Sequence, residues 1–297
     1  KSSAETMKKF NERPGTVSNQ YLHDLYRFFK LSVRRHEFRD IFKEKLDLHH
    51  IPALSNVLYS EDILFPIADF YLKKERWNEA IEVYEEMETI GALQGRGAEY
   101  YQKLGYALQK NKKYAEAIDA YLKADTLKPD NIWNNRHLAI CYRLNRNYQA
   151  ALSYYKKVEE ATPEDTNVIF HIGSCLAELG QYEEAANYFF KLDFIESNCI
   201  KAWRGIGWCS FISRKYEQAM KYYEKIIGQK PQAIDYMNAG HVAWVMGDIQ
   251  KAVTFYGKAI IACESREHFL EMFHKDEEAL LKQGVREEDI PLMLDLL

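Results

Sequence analysis

From residue 61 to residue 266 the chain alternates short amphipathic blocks with polar turns. Apolar residues within a block recur three or four positions apart, the spacing that keeps one face of an α-helix. The turns are brief, as in Leu-Gly-Gln at 179–181 and Met-Gly-Asp at 246–248, where glycine suits a helix C-cap. Pro129, Pro163 and Pro231 each close a block, because proline stops a helix and restricts the residue before it. The pattern predicts helix after helix and no sheet of consequence.

The blocks repeat. Shifting the chain against itself by 34 residues aligns the segments 61–94, 98–131, 132–165, 166–199, 200–232 and 233–266. Their eighth positions are Ala68, Gly105, Ala139, Gly173, Gly207 and Gly240. Alanine stands at every twentieth position: Ala80, Ala117, Ala151, Ala185, Ala219 and Ala252. The twenty-fourth is aromatic throughout, with Tyr84, Tyr121, Tyr155, Phe189, Tyr223 and Tyr256. Each unit therefore reads as a helix pair, A then B. Positions eight and twenty are small where the two helices approach closely, and the aromatic fills the space between one unit and the next.

This pattern resembles the tetratricopeptide repeat over 61–266. The resemblance implies an all-α, right-handed superhelical solenoid of antiparallel helix pairs. It also implies a non-catalytic scaffold whose concave groove, lined mainly by A helices, holds a peptide or another protein. In the family, positions two, five, nine and twelve face that groove. They correspond here to Glu99, Gln102, Tyr106 and Gln109 in the second unit, and to Trp133, Arg136, Ile140 and Arg143 in the third. The fourth unit offers Asn167, Phe170, Ser174 and Ala177, and the fifth Lys201, Arg204, Trp208 and Phe211. The sixth offers Ile234, Met237, His241 and Trp244, while His137 and His171 occupy position six on the groove's flank. The implied groove is thus aromatic and basic, suited to an acidic and apolar segment. A competing reading packs Trp208 and Phe211 against a neighbouring A helix or the C-terminal segment. Some family members grip a chaperone's terminal carboxylate with lysine at five and asparagine at nine. Here those positions read Gln102 and Tyr106, Arg136 and Ile140, then Phe170 and Ser174, so the full clamp is absent.

The ends read as caps. Residues 1–60 are expected to be a flexible stretch followed by a degenerate helix pair over 19–46. Residues 267–297 read as two capping helices split by Gly284, because a repeat array must cover its last apolar face.

Charge and cysteine refine this picture. The net charge of −4 argues against nucleic acid, although basic and aromatic residues together keep single-stranded binding as a rival, alongside a role as one arm of a larger regulator. By count, the fifth unit carries +5 and residues 267–297 carry −6. Cys141, Cys175 and Cys209 recur 34 residues apart, at one place on equivalent helices, where a disulfide is out of reach. Buried reduced thiols favour a reducing, cytoplasmic setting. Neither a catalytic motif nor a metal spacing occurs, and His49-His50 lacks helical i, i+4 geometry. The expectation is therefore no enzyme, no cofactor and no membrane span.

Overall fold

The structure is a computed structural model that describes residues 61–91 and 95–297. The N-terminal cap expected within 1–60, with His49 and His50, lies outside the described residues. From Phe65 onward the chain forms one compact unit.

Fourteen helices and no strand run through the described residues. The first six pairs are α1 (Glu61–Lys73) with α2 (Trp77–Thr89), α3 (Gly97–Lys110) with α4 (Tyr114–Leu127), and α5 (Ile132–Leu144) with α6 (Tyr148–Ala161). Then come α7 (Thr166–Glu178) with α8 (Tyr182–Ile195), α9 (Ile200–Ile212) with α10 (Tyr216–Ile227), and α11 (Ala233–Val245) with α12 (Ile249–Cys263). Two more follow, α13 (Arg266–Lys282) and the short α14 (Asp289–Asp295). Each B helix from α4 to α10 packs on its own A helix and on the A helix that follows, which makes a solenoid.

A shared backbone device turns A into B. The fifteenth residue of every unit is left-handed, with φ running from 56° at Glu75 to 84° at Gly247. Only Gly180 and Gly247 are glycines; Glu75, Lys112, Arg146 and Arg214 adopt the same conformation. Left-handed backbone costs an ordinary residue roughly 1–2 kcal/mol, so tertiary packing overrides local preference at four turns.

The small eighth position has a more specific cause than close helix approach. A Cβ built on Gly105, Gly173, Gly207 or Gly240 would lie 2.8, 2.9, 2.9 or 2.5 Å from the twenty-fourth ring of the same unit. Phe189 is held on both sides, because a Cβ on Gly205 of the next unit would approach its ring to 2.5 Å. The six position-twenty alanines are wholly buried. Cys141, Cys175 and Cys209 are free and buried, and burial pushes their thiols up to about 12, 11 and 12.

The last two helices close the core. Phe269, Phe273 and Leu280 of α13 are fully buried, and so nearly are Ile290 and Met293 of α14. Arg266 donates to the Leu294 carbonyl at 3.0 Å and ties α14 back to the start of α13. Among the described residues, no helix is long and apolar enough to cross a membrane.

Candidate functional site

The A helices α3, α5, α7 and α9 form a row that carries the positions the repeat pattern assigns to a groove. Caps hold several of their N-termini. Asn131 accepts from the Asn134 N–H before α5, and Asp165 accepts from Asn167 and Val168 before α7. Gln232 and Asp235 form a reciprocal capping box at α11.

Aromatic residues dominate the row. Ring centroids of Trp77 and Tyr106 lie 6.1 Å apart, and those of Tyr106 and Trp133 6.2 Å apart. Trp133 is 42% exposed, whereas Tyr106 is half-buried. Further along, a pocket of about 370 Å³ opens between α7, α9 and α11. Phe170, Phe189, Lys201, Arg204, Trp208, Ile234 and Asn238 line it.

The two position-six histidines are structural. His137 stacks on Tyr121 at 5.7 Å and His171 on Tyr155 at 5.5 Å, each lying on the position-twenty-four ring of the preceding unit. Burial lowers both to about 4, helped by Lys110 and Arg136 at His137 and by Arg143 and Lys201 at His171. Both are therefore neutral at physiological pH.

The groove's cations are largely neutralised within the chain. Arg204 grips the buried carboxylate of Asp235 through two bonds of 2.7 Å, and Asp235 also accepts from the Gln232 N–H. Arg136 reaches Asp165 at 2.9 Å. Lys201 lies 3.4 Å from Glu196 and also over the Phe170 ring. Arg143 makes a long 3.4 Å contact with the Tyr155 hydroxyl. Sequence reasoning missed Asp165 and Asp235. Each sits at the N-terminal end of the next A helix, where an acid is favoured, and that was the available signal.

Three expected groove residues are enclosed. Phe211 and His241 are fully buried and Trp244 is nearly so: α13 lies over His241 and Trp244, and the His241 ring lies over Phe211. Trp244 and His241 each face the Phe273 ring, at 6.5 and 5.4 Å. His241 Nδ1 is 2.8 Å from the Tyr256 hydroxyl, and its Nε2 is 3.4 Å from the Asp276 carboxylate. The far end of α13 reaches back two units. Gln283 donates to the Ile212 carbonyl and accepts from the Tyr216 hydroxyl, while Arg214 donates to the Lys282 carbonyl. The expectation that Phe211, His241 and Trp244 line an open groove is corrected accordingly. Phe211 packs on the neighbouring A helix α11, its ring stacked on His241 at 6.4 Å. Trp208 stands at the boundary, with the pocket on one side and α13 on the other.

Family models described as tetratricopeptide repeat match residues 64–94, 98–131, 143–207 and 200–232, together just over half of the chain. The chain belongs to the tetratricopeptide repeat family. A tetratricopeptide repeat protein from Parabacteroides merdae has a similar solved structure, with a TM-score of 0.59 at 18% identity, covering 80% of this chain and 98% of that one. The Pseudomonas aeruginosa protein PilF is similar with a TM-score of 0.53 at 17% identity, over 72% of this chain and 97% of its own. YrrB, described as having an unusual peptide-binding site, has a TM-score of 0.52 at 20% identity, over 63% of this chain and 95% of its own. At such identities the likeness speaks for the fold. No curated protein matches the chain. Tetratricopeptide repeats are interaction scaffolds, and that role is the coarse function the fold carries.

Proposed function

We propose that the chain is a non-catalytic scaffold that holds an extended segment of another protein against α3, α5, α7 and α9. The observation that carries this reading is the pocket beside Trp208, together with the exposed Trp133 at the other end of the same row. Large aromatic side chains at a half-open surface are common binding anchors. α13 bounds the site, so the ligand runs from Tyr106 to Trp208 and no further. The likeness to YrrB, whose described feature is a peptide-binding site, supports a peptide as the ligand.

Selection of random twelve-residue peptides on the immobilised chain tests this. One consensus family should emerge, and Trp208→Ala and Phe170→Ala should weaken its binding. Phe194→Ala, at a side chain 89% exposed near the end of α8, should leave it unchanged. Absence of any consensus, or a consensus sensitive to Phe194 alone, would sink the reading.

A further inference from the structure

Charge complementarity and hydrogen-bonding polarity say what kind of segment the groove accepts. Arg136, Lys201 and Arg204 each have a carboxylate within the chain, so an acidic ligand would compete with partners already in place. Lys103, beside the aromatic row, is likewise paired, with Asp69 and Glu99. Glu178 adds an acid to the pocket's lining. The wall is therefore close to electrically balanced, and a ligand without net charge gives up the least hydration on entering it.

Uncommitted polar groups of both kinds stand on this side, and in the pocket the buried Asn238 Oδ1 is an acceptor without a partner. The amide nitrogen of Gln102 is buried and has no hydrogen-bond partner. Its position is one that the repeat pattern assigns to the groove. Neither Tyr106, Trp133 nor Trp208 makes a side-chain hydrogen bond among the described residues, which leaves one hydroxyl and two indole N–H groups for a ligand. One acceptor at the Tyr106 end is already engaged. The Gln109 side-chain oxygen takes the Tyr121 hydroxyl at 3.0 Å and lies 2.7 Å from His137 Nδ1. The rings meet at 82° between Trp77 and Tyr106 and at 42° between Tyr106 and Trp133, so they form notches and not a flat stack.

We propose that the ligand is an uncharged, proline-containing segment bound as a polyproline II strand along Tyr106, Trp133 and Trp208. Proline has no N–H, so such a strand presents carbonyl acceptors to the Tyr106 hydroxyl and to the Trp133 and Trp208 indole N–H groups. Its pyrrolidine rings are compact and apolar and fit between tilted aromatic rings, and its pre-extended backbone loses little entropy on binding. This inference rests on the groove reading above and specifies the partner for it.

The peptides selected on the full chain supply the probe. The consensus should contain at least two prolines and no net charge. Its affinity should change by less than about threefold between 0.1 and 1 M sodium chloride, since few ion pairs form. Trp133→Ala should weaken binding about tenfold or more, as removal of an aromatic anchor does. Tyr106→Phe keeps the ring and deletes the donor, and should weaken binding by a smaller factor. Circular dichroism confirms that both variants stay folded. An acidic consensus, a steep fall in affinity with salt, or indifference to Trp133→Ala would overturn the proposal and leave the groove reading standing. Displacement of the selected peptide by single-stranded oligothymidylate at 0.15 M salt would overturn it in favour of nucleic acid. Recovery of no consensus at all overturns the groove reading and this inference with it.

Discussion

Phe189 shows how a single side chain joins two repeats. Its ring lies where a Cβ on either Gly173 or Gly205 would stand, at 2.9 and 2.5 Å, so one aromatic fills a slot cut into its own unit and the next. Phe189→Ala should therefore destabilise the protein by about 3–5 kcal/mol, the range for losing a buried phenylalanine. Denaturant unfolding measures it, and a loss below about 1 kcal/mol would show that the two glycine faces collapse to close the gap. The invariant small and aromatic positions were legible in the sequence, because every unit states them again. Their exact partnership was not, since self-comparison reports which positions agree and not which atoms touch. The histidines illustrate the same limit. His137 and His171 read as flanking a groove by position, and stacking on Tyr121 and Tyr155 makes them part of the joint between units.

At the scale of the helix, α13 carries most of what the sequence did not reveal. The need to cover the array's last apolar face identified a cap, but nothing local says that a cap will cross back to the α9–α10 turn. The bonds that hold it there, such as Arg214 to Lys282, join residues 68 apart in the chain. Covering His241 and Trp244 follows from that crossing. Groove charge was misread for a related reason: Arg136 and Arg204 find carboxylates 29 and 31 residues away, beyond any local pattern. Deleting 284–297 removes the buried Ile290 and Met293 and exposes the face of α13 beneath them. Full burial of such a side chain is worth about 1.5–3 kcal/mol, so the shortened protein should lose about 3–6 kcal/mol. Thermal melting with light scattering checks this. An unchanged midpoint without aggregation would mean that α14 contributes nothing to the cap.

For the whole molecule, the buried histidines set a pH dependence. An unfolded histidine titrates near 6.5, whereas His137 and His171 are lowered to about 4 in the fold. Between these values the unfolded chain binds more protons, so stability rises with pH through this window. Stability from keeping both rings neutral is complete above pH 6.5, declines as pH falls and is gone near pH 4. Asp165, held below its usual range by backbone N–H groups and Arg136, begins to lose its contribution only at the acid end of that window. Replacing both histidines with glutamine should flatten the stability profile between pH 6.5 and 4. An equally steep profile in the double variant would assign the dependence to other groups.

The backward reach of α13 also bears on how the array comes apart. In a stack whose units touch only their neighbours, the ends open first and the loss travels inward like a zip. Here a strap runs from beyond the sixth unit to the fifth, through Gln283, Lys282, Ile212, Arg214 and Tyr216. The α11–α12 pair cannot peel away unless the strap slips, and a slipped strap uncovers His241 and Trp244 together. Amide hydrogen exchange should then show α9 to α13 exchanging as one cooperative block instead of as a gradient falling toward the C-terminus. A smooth decline in protection from α9 to α13 would mean the strap opens freely. If the block exists, the wall behind Trp208 stays rigid while ligands come and go, and the more yielding side of the groove is the one built from α3 and α5.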